Sequence, residues 1–359
     1  MLQPISCNGY DIFFNEDGYT RLREYLEEKN HSKVFILTDE NTHQHCLSHF
    51  MANMPADFTA EVIEIEAGEI HKNIETCSQV WQVLSEMGAD RKSVLINVGG
   101  GVVTDLGGFV ASTFMRGIDF VNIPTSLLAM VDASVGGKTG VDLGALKNQV
   151  GVINVPDILI VDTDMLRTLP PEQMRSGLAE MLKHGLIYDE NYWNAFLDLS
   201  AFQLDDLDTL IRDSIIIKNK IVMQDPREAG LRKTLNFGHT LGHAIESYFL
   251  QNPDKPTLLH GEAIAIGMIL ETFLSAELEG FPHEKLEQVT SVILSYFRKV
   301  EIETEDLEHI IAYLKYDKKN SHGNINFVLL KDIGSPVIDV RTDNEKILRS
   351  FAYYKIQDI

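Results

Sequence analysis

The first half of the chain alternates short apolar segments with helical patterns, and this alternation constrains the fold more than any other feature. The apolar segments are rich in β-branched residues and cover residues 34–38, 62–65, 94–101, 120–126 and 158–162. Between several of them, as in IETCSQVWQVLSEMG, apolar residues recur at three- and four-residue spacing. Strands that are apolar on both faces and separated by helices are typical of a parallel sheet covered on both sides. The sequence therefore predicts an N-terminal α/β domain.

The pattern changes at Leu169-Pro170-Pro171 and becomes almost entirely helical. Apolar spacing predicts one short hairpin near 324–330 and helices over 171–187, 204–224, 231–250, 260–279, 284–297 and 306–316. A length of 359 residues also fits two domains. We therefore expect an α/β domain over 1–169 and a helical domain over 170–359, with the cleft between them as the default ligand site.

A net charge of −22, from 31 Lys and Arg against 53 Asp and Glu, limits the classes of partner. A chain this acidic repels nucleic-acid phosphates and anionic membrane surfaces, so we expect neither as a partner. An anionic substrate would need a local basic pocket. The three cysteines form no C-x-x-C, which favours a reducing compartment. Because there is no signal-peptide pattern and no apolar run of about 18 residues, the sequence predicts a cytoplasmic protein.

Two glycine-rich segments are candidates for binding phosphate groups. The segment Val98–Asp105 follows a predicted strand and opens a predicted helix, where backbone N–H groups and positive potential suit a pyrophosphate. Thr104 fills the last glycine position of G-x-G-x-x-G, so a plain strand-to-helix turn stays open. The segment Ser134–Thr139 resembles the end of a P-loop, but Asp132 stands where its leading glycine belongs. It predicts either an anion-binding lysine, Lys138, or a solvated surface loop.

Histidines and a glutamate on predicted helices are candidates for a metal site. His239 and His243 lie at i and i+4 on one helix face, His260 starts the next helix, and Glu180 lies on an earlier one. Three imidazoles and a carboxylate can form a zinc-type site with an open position for substrate. Since Gly242 precedes His243, the H-E-x-x-H pattern of metalloproteases is absent. A purely structural histidine pair is the alternative.

Basic residues cluster just before the histidine helix of this acidic chain, namely Lys218, Lys220, Arg227, Arg232 and Lys233. They predict an anion pocket beside the metal, and a solvated face with salt-bridge partners is the alternative.

Several of these segments together resemble the 3-dehydroquinate synthase family. The resemblance covers most of the chain, is densest from about 94 to 270, and rests on residues 98–142, SGLAEMLKHGLI, LRKTLNFGHTLGHAIE and LHGEA in this order and spacing. It implies a Rossmann-like NAD domain, a helical domain carrying zinc or cobalt, and a homodimer. It also implies a carbon–oxygen lyase of the shikimate pathway, in aromatic amino-acid biosynthesis. The substrate would be 3-deoxy-D-arabino-heptulosonate 7-phosphate, an anionic sugar phosphate, and the products 3-dehydroquinate and phosphate, with the same NAD oxidising and re-reducing the ring.

The resemblance also implies roles for individual residues. The metal ligands would be Glu180, His239 and His260, with His243 as a proton-handling neighbour. The residues implied for NAD are Asp39, Asn41, Glu69, Lys72, Gly100, Gly101, Asp105, Thr125, Ser126, Lys138, Lys147 and Thr168. Those implied for the substrate are Arg116, Asp132, Lys138, Asn148, Lys183, Lys218, Arg232, Asn236, His243 and one or both of Lys318 and Lys319. The catalytic residues would be Lys138, Glu228, Arg232, Asn236 and His243.

Two departures from the family pattern and three other functions stay open. Leu146 replaces the glycine that often precedes Lys147-Asn148, and His184, four residues after Glu180, is a further candidate ligand that we interpret as a helix-face neighbour. The other functions are a different sugar phosphate cyclase, an iron-type polyol dehydrogenase of the same superfamily, and a non-catalytic NAD- or metal-binding protein. A dehydrogenase has no need of the four cations Lys138, Lys183, Lys218 and Arg232, which favours the synthase.

Overall fold

The computed structural model describes residues 2–144, 146–197, 204–314 and 325–357, without the side chains of 204 and 205. The chain divides into two compact units, Met1–Met174 and Arg175–Ile359. No helix in the described ranges combines the length and the apolar character needed to cross a bilayer.

A parallel sheet forms the centre of the first unit. The strands of this unit are β1 (Ile5–Ser6), β2 (Asp11–Phe14), β3 (Val34–Asp39), β4 (Glu61–Ile65), β5 (Val94–Gly99), β6 (Asp119–Pro124), β7 (Lys138–Leu143), β8 (Leu146–Ile153) and β9 (Ile158–Val161). Seven of them form one sheet in the order β1-β2-β9-β6-β5-β3-β4, in which only β1 runs antiparallel to its neighbour. The predicted α/β class is confirmed, and the five predicted strands are β3, β4, β5, β6 and β9.

Two strand pairs of this unit were not predicted. The short β1–β2 pair extends one edge of the sheet, and β7 and β8 form a separate antiparallel hairpin. The helices of the unit are α1 (Asn15–Lys29), α2 (Glu40–His45), α3 (Leu47–Ala52), α4 (Ile74–Glu86) and α5 (Gly101–Thr113). Every residue of β5 is buried, as its continuous apolar character predicts.

A close contact between α5 and the sheet depends on glycine. A Cβ on Gly107 would lie 1.9 Å from Oδ1 of Asn97, a buried side chain on β5. Asn97 in turn donates its side-chain amide to Asn122 Oδ1 on β6, at 2.8 Å. Glycine at 107 therefore lets the helix rest directly on a polar pair inside the sheet, with Leu37 and Leu106 in the surrounding apolar core.

The second unit is mainly helical, as predicted. Its elements are α6 (Pro171–Tyr188), α7 (Glu190–Asn194), α8 (Leu204–Gln224), α9 (His239–Gln251), α10 (His260–Leu278), α11 (His283–Tyr296), α12 (Thr304–Leu314), the hairpin β10 (Phe327–Asp332) and β11 (Ser335–Val340), and α13 (Asn344–Ile356). The single helix predicted over 231–250 is wrong. A 3-10 segment covers Leu231–Asn236, and the α-helix starts only at His239, because Gly238 adopts φ +77 and interrupts it.

Glycines bring α6, α9 and α10 unusually close. A Cβ on Gly267 of α10 would lie 1.9 Å from the Gly238 carbonyl oxygen, and one on Gly242 would lie 3.1 Å from the Ala263 carbonyl oxygen. A Cβ on Gly261 would lie 2.3 Å from the Ser176 carbonyl oxygen of α6. The helices that carry Glu180, His239 and His260 are thus packed backbone against backbone.

Candidate active site

Glu180, His239 and His260 come from α6, α9 and α10 and meet inside the second unit. His239 Nε2 lies 3.5 Å from Glu180 Oε1, and His260 Nε2 lies 3.9 Å from the same oxygen. Glu180 is 0 % exposed, and among the described residues neither of its oxygens has a hydrogen-bond partner. Lys183 forms an ion pair with Oε2. A buried carboxylate is costly unless cations compensate it. Lys183 supplies one cation at Oε2, and a metal ion held by Oε1 and the two imidazoles would supply a second.

The hydrogen bonds of the two histidines indicate which ring nitrogen carries the proton. His239 Nδ1 lies 3.0 Å from the Phe237 carbonyl oxygen, and His260 Nδ1 lies 3.3 Å from Glu246 Oε2. Both partners can only accept, so each histidine donates from Nδ1, and in the neutral ring Nε2 carries the lone pair. A metal-ligating histidine is oriented in this way. One carboxylate oxygen and two imidazole nitrogens fit a divalent ion of the zinc or cobalt type with an open position.

His243 belongs to the same cluster. Its ring centroid lies 5.1 Å from that of His239 and 5.6 Å from that of His260, and the three residues bring ligand atoms within 4.8 Å of one another. The i, i+4 spacing predicted that His239 and His243 share a face, and the structure places them together. A proton-transfer role for His243 stays a prediction.

His184 forms a hydrogen bond with a residue of another helix. Its Nδ1 lies 2.7 Å from Ser214 Oγ on α8, and both residues are completely buried. This contact agrees with the interpretation of His184 as a helix-face neighbour of Glu180, which stays a prediction.

Three of the four cations expected around an anionic substrate lie in the second unit and are buried there. Lys183 is 1 %, Lys218 6 % and Arg232 3 % exposed, whereas Lys138 of the first unit is exposed at the start of β7. Burial excludes the solvated-face alternative for Lys218 and Arg232. The alternative fits the other members of the basic cluster, since Lys220 and Arg227 are exposed and Lys233 forms an ion pair with Asp339. Desolvated cations bind phosphate or carboxylate more strongly than solvated ones.

The loop before Arg232 is held by Asp225. The Asp225 carboxylate accepts backbone N–H groups from Gly230 at 2.7 Å, Ala229 at 3.0 Å and Arg232 at 3.0 Å. These bonds, that from Gly230 first, lower the pKa of Asp225. Arg232 also donates to the Pro226 carbonyl oxygen at 2.9 Å. The Asp225 side chain therefore orders the loop by accepting its backbone N–H groups. Sequence reasoning did not single out Asp225.

Glu228 and Asn236, both expected to be catalytic, contact each other. The Asn236 side-chain amide donates to Glu228 Oε1 at 2.7 Å, and Glu228 has φ +59. Arg232 and Asn236 both lie in the 3-10 segment and not in the α-helix predicted over 231–250.

The glycine turn of the first unit is built as the sequence predicts. β5 ends at Gly99, α5 starts at Gly101, and within the described part of the chain no side chain caps the helix at Gly100. Chain order reverses around β3 and β5, since β4 lies on one side of β3 and β5 on the other. Ligands of open α/β sheets bind at the carboxyl ends of strands at such a switch point, and a helix N-terminus there suits a pyrophosphate.

The buried Lys72 forms hydrogen bonds with the half-buried Asp105 and the exposed Asn148 near this turn. Lys72 Nζ donates to Asp105 Oδ2 at 2.6 Å and to Asn148 Oδ1 at 2.8 Å. Burial alone would lower the pKa of Lys72, but the charges of Asp105 and Glu69 outweigh it, and the pKa is raised. The ammonium group of Lys72, a residue implied for NAD, is thus shared by Asp105, also implied for NAD, and Asn148, implied for the substrate.

Most other residues implied for NAD also follow strand ends. Asp39, at the end of β3, accepts the Thr42 N–H at 2.7 Å and so caps α2, which includes Asn41. Glu69 Oε1 lies 3.9 Å from Lys147 Nζ.

Three further residues of this set lie beyond β6 and β9. The Ser126 hydroxyl accepts the Ala129 N–H at 3.3 Å. Burial raises the pKa of the Cys46 thiol, and the side chains of Thr125 and Thr168 partly offset this rise. Nothing in the sequence pointed to Cys46.

Four further residues implied for the substrate are Arg116, Asp132, Lys318 and Lys319. Arg116 lies in a 3-10 segment, Phe114–Arg116, with φ +71, and Asp132 lies in a π-helical turn, Ala129–Ala133. Lys318 and Lys319 lie outside the described residues.

Two buried glutamates near the histidines were missed. Glu246 contacts His260, and Glu271 accepts the backbone N–H groups of Gly238 and Leu241. The available signal was a single carboxylate inside the apolar run Ile264–Leu274, at Glu271. A charge in a buried helix requires a partner.

Comparisons with known proteins match both units of the chain to one family. The family model described as 3-dehydroquinate synthase N-terminal matches residues 62–176, and the one described as 3-dehydroquinate synthase C-terminal matches residues 177–320. The 3-dehydroquinate synthase of Parabacteroides distasonis is 43% identical over 343 residues, covering 95% of this chain and 96% of the relative.

Two solved structures have a similar fold. The 2-epi-5-epi-valiolone synthase of Streptomyces hygroscopicus, with NAD+ and Zn2+ bound, has a TM-score of 0.86 at 25% identity and covers 100% of both chains. A 2-deoxy-scyllo-inosose synthase, solved with carbaglucose-6-phosphate, NAD+ and Co2+, has a TM-score of 0.81 at 23% identity and covers 97% of this chain and 98% of its own.

Proposed function

Because this chain belongs to the 3-dehydroquinate synthase family, we propose that it converts 3-deoxy-D-arabino-heptulosonate 7-phosphate to 3-dehydroquinate and phosphate. The observation that carries the proposal is the buried Glu180 carboxylate, which faces the Nε2 atoms of His239 and His260. The proposal includes NAD as a recycled cofactor and a divalent metal, zinc or cobalt. Two solved structures of similar fold hold NAD+ with Zn2+ or Co2+.

The residues of the second unit divide the chemical work. Glu180, His239 and His260 would hold the metal. When bound, the metal lowers the pKa of a substrate hydroxyl and polarises the derived carbonyl, and NAD removes and returns a hydride. A ring nitrogen of His243, beside the ligands, takes and returns the substrate proton.

Buried cations and an ordered loop would bind the charged groups of the substrate. Lys183, Lys218 and Arg232 neutralise the phosphate and carboxylate, and their burial makes each contact strong. Glu228 fixes the Asn236 side chain by accepting from it, so that the remaining polar atoms of the amide have a defined direction.

In the first unit, the turn at Gly99–Gly101 and the α5 N-terminus would hold the NAD pyrophosphate. We further propose that 1–169 is the NAD domain and that 170–359 carries the metal and substrate residues. A homodimer and a cytoplasmic location belong to the same proposal. Light scattering of the purified protein tests the dimer, and a monomeric mass would reject it.

The test supplies the heptulosonate phosphate with zinc or cobalt and NAD at a small fraction of the substrate concentration. Phosphorus NMR should show inorganic phosphate, and proton NMR an equal amount of 3-dehydroquinate. Another carbocycle, or turnover only with other sugar phosphates, would indicate a different cyclase. NADH accumulating in proportion to product would indicate a dehydrogenase. The matched control is His239→Ala, which should release no phosphate.

A further inference from the structure

Two buried carboxylates connect α9 and α10 in opposite directions. Glu246 on α9 accepts a hydrogen bond from Nδ1 of His260 on α10, at 3.3 Å. Glu271 on α10 accepts the N–H groups of Gly238 at 2.7 Å and Leu241 at 3.1 Å, at the start of α9. Glu246 is 6 % and Glu271 0 % exposed. Each helix thus contributes a carboxylate that holds the candidate ligand region of the other.

Glu246 determines which nitrogen of His260 faces Glu180. The carboxylate accepts the proton on Nδ1, so the neutral ring carries its lone pair on Nε2, which lies 3.9 Å from Glu180 Oε1. Without an acceptor at this position, the ring would be free to change tautomer or rotate. A carboxylate on the far nitrogen also makes an imidazole a more basic ligand.

Glu271 fixes the backbone that carries His239. The first N–H groups of a helix have no partner within the helix, and the glycine at 238 offers no side chain to cap them. The two Glu271 oxygens take one N–H each, from positions on either side of His239. A negative charge at a helix N-terminus is stabilising as well.

We propose that Glu246 and Glu271 are positioning residues that preorganise the metal ligands His260 and His239. The inference rests on the proposed function, because it takes those two histidines as ligands. Neither carboxylate touches substrate or cofactor in this proposal. Their effect is on where the imidazole nitrogens lie before the ion arrives, so it should be measurable as metal affinity.

The experiment measures the Zn2+ dissociation constant of the full chain by competition with a chromophoric chelator, without NAD or substrate. Glu246→Ala should weaken binding about 10–100-fold, the usual range for losing a carboxylate behind a ligating histidine. Glu246→Gln should recover most of the loss, because the amide oxygen still accepts from Nδ1. Glu271→Gln should not recover, because an amide has one acceptor oxygen for two N–H groups.

The matched control is Tyr248→Phe on α9. It removes a buried hydrogen bond, from the Tyr248 hydroxyl to Asp306 Oδ1 at 2.6 Å. The histidine on which the Tyr248 ring stacks is His309, which is not a candidate ligand. The control should lower Tm and leave the dissociation constant unchanged. A second readout is the visible spectrum of each variant saturated with Co2+, which Glu246→Ala should change and Tyr248→Phe should not. Glu246→Met fills a similar volume without an acceptor and replaces Glu246→Ala if that variant fails to fold.

Wild-type affinity and an unchanged Co2+ spectrum in Glu246→Ala would overturn the inference, as would equal metal loss in Tyr248→Phe. Failure of the proposed function is distinguishable from this. A chain that binds Zn2+ through His239 and His260 but releases no phosphate from the heptulosonate phosphate rejects the function only. Metal retained by His239→Ala rejects the ligand assignment, and the inference with it.

Discussion

Gly267→Ala should separate the metal ligands without changing any of them. The added Cβ would lie 1.9 Å from the Gly238 carbonyl oxygen and 2.8 Å from the Gly242 nitrogen, both backbone atoms of the facing helix. Relief of the shorter contact moves α9 and α10 apart by about 1 Å, since protein interiors have few voids to absorb it. Metal–ligand distances tolerate only about 0.2 Å. We therefore expect a loss of zinc affinity of about 10–100-fold, as for other displaced ligands.

The assay is chelator competition, with Tm measured alongside. Overpacking costs about 1–3 kcal/mol of stability on its own, so a control must share that cost. Gly18→Ala provides it in the first unit, where the new Cβ would lie 2.5 Å from Cγ2 of Ile160. Both variants should unfold at lower temperature, but only Gly267→Ala should lose zinc. Wild-type zinc affinity in Gly267→Ala would refute the argument that helix spacing sets the ligand geometry.

Four further predictions follow from the site. His239→Ala should lose bound metal and activity together, and full metal content by elemental analysis would contradict the ligand assignment. Arg232→Ala and Lys183→Ala should each lower kcat/KM about tenfold or more, since roughly 1.4 kcal/mol of a desolvated contact corresponds to a factor of ten, and near-wild-type kinetics in both would place the anion pocket elsewhere. Arg232→Lys should not restore full activity if the guanidinium binds in a bidentate manner, and steady-state kinetics decide this. The N–H of Gly230 lowers the pKa of Asp225 in the folded protein, so the charged carboxylate stabilises the fold at pH values above its ordinary pKa of 3.8. This stabilisation is lost as the pH falls through the lowered pKa of the folded state. Asp225→Asn should therefore reduce the dependence of Tm on acid pH, and an unchanged dependence would contradict the argument.

Sequence reasoning succeeded where the signal is local. Strand β5 is fully buried and apolar apart from Asn97, so its run of apolar residues predicts a buried strand. The change in hydrophobic pattern at 169–171 marks the start of the helical part. The hairpin of β7 and β8 was not predicted, because apolar and polar residues alternate little along it and each strand contains a glycine. No period of two therefore stands out in its sequence.

The site was predictable only as a set of residue types. The spacing placed His239 and His243 on one face, but the interruption at Gly238 depends on a backbone contact with α10 that no local pattern contains. The same holds for Glu246 and Glu271, whose partners lie on a different helix. Hydrogen bonds between elements follow from the packed fold, and periodicity reports only which face of an element is apolar.

If one ligand engages Asp105 and another engages Asn148, the ammonium group of Lys72, which both residues share, makes the two binding events thermodynamically dependent on each other. The side chains of Asp105 and Asn148 both accept hydrogen bonds from Lys72 Nζ. The backbone N–H of Asn148 also donates to Asp142 Oδ1 at 2.6 Å, so Asn148 is held at two points. A ligand that draws the Asn148 side chain away leaves the ammonium to Asp105 alone and alters the field at the α5 N-terminus. Thermodynamic linkage then requires that each ligand changes the affinity of the other by the same factor. Titrating each ligand with and without the other would show that single factor in both directions.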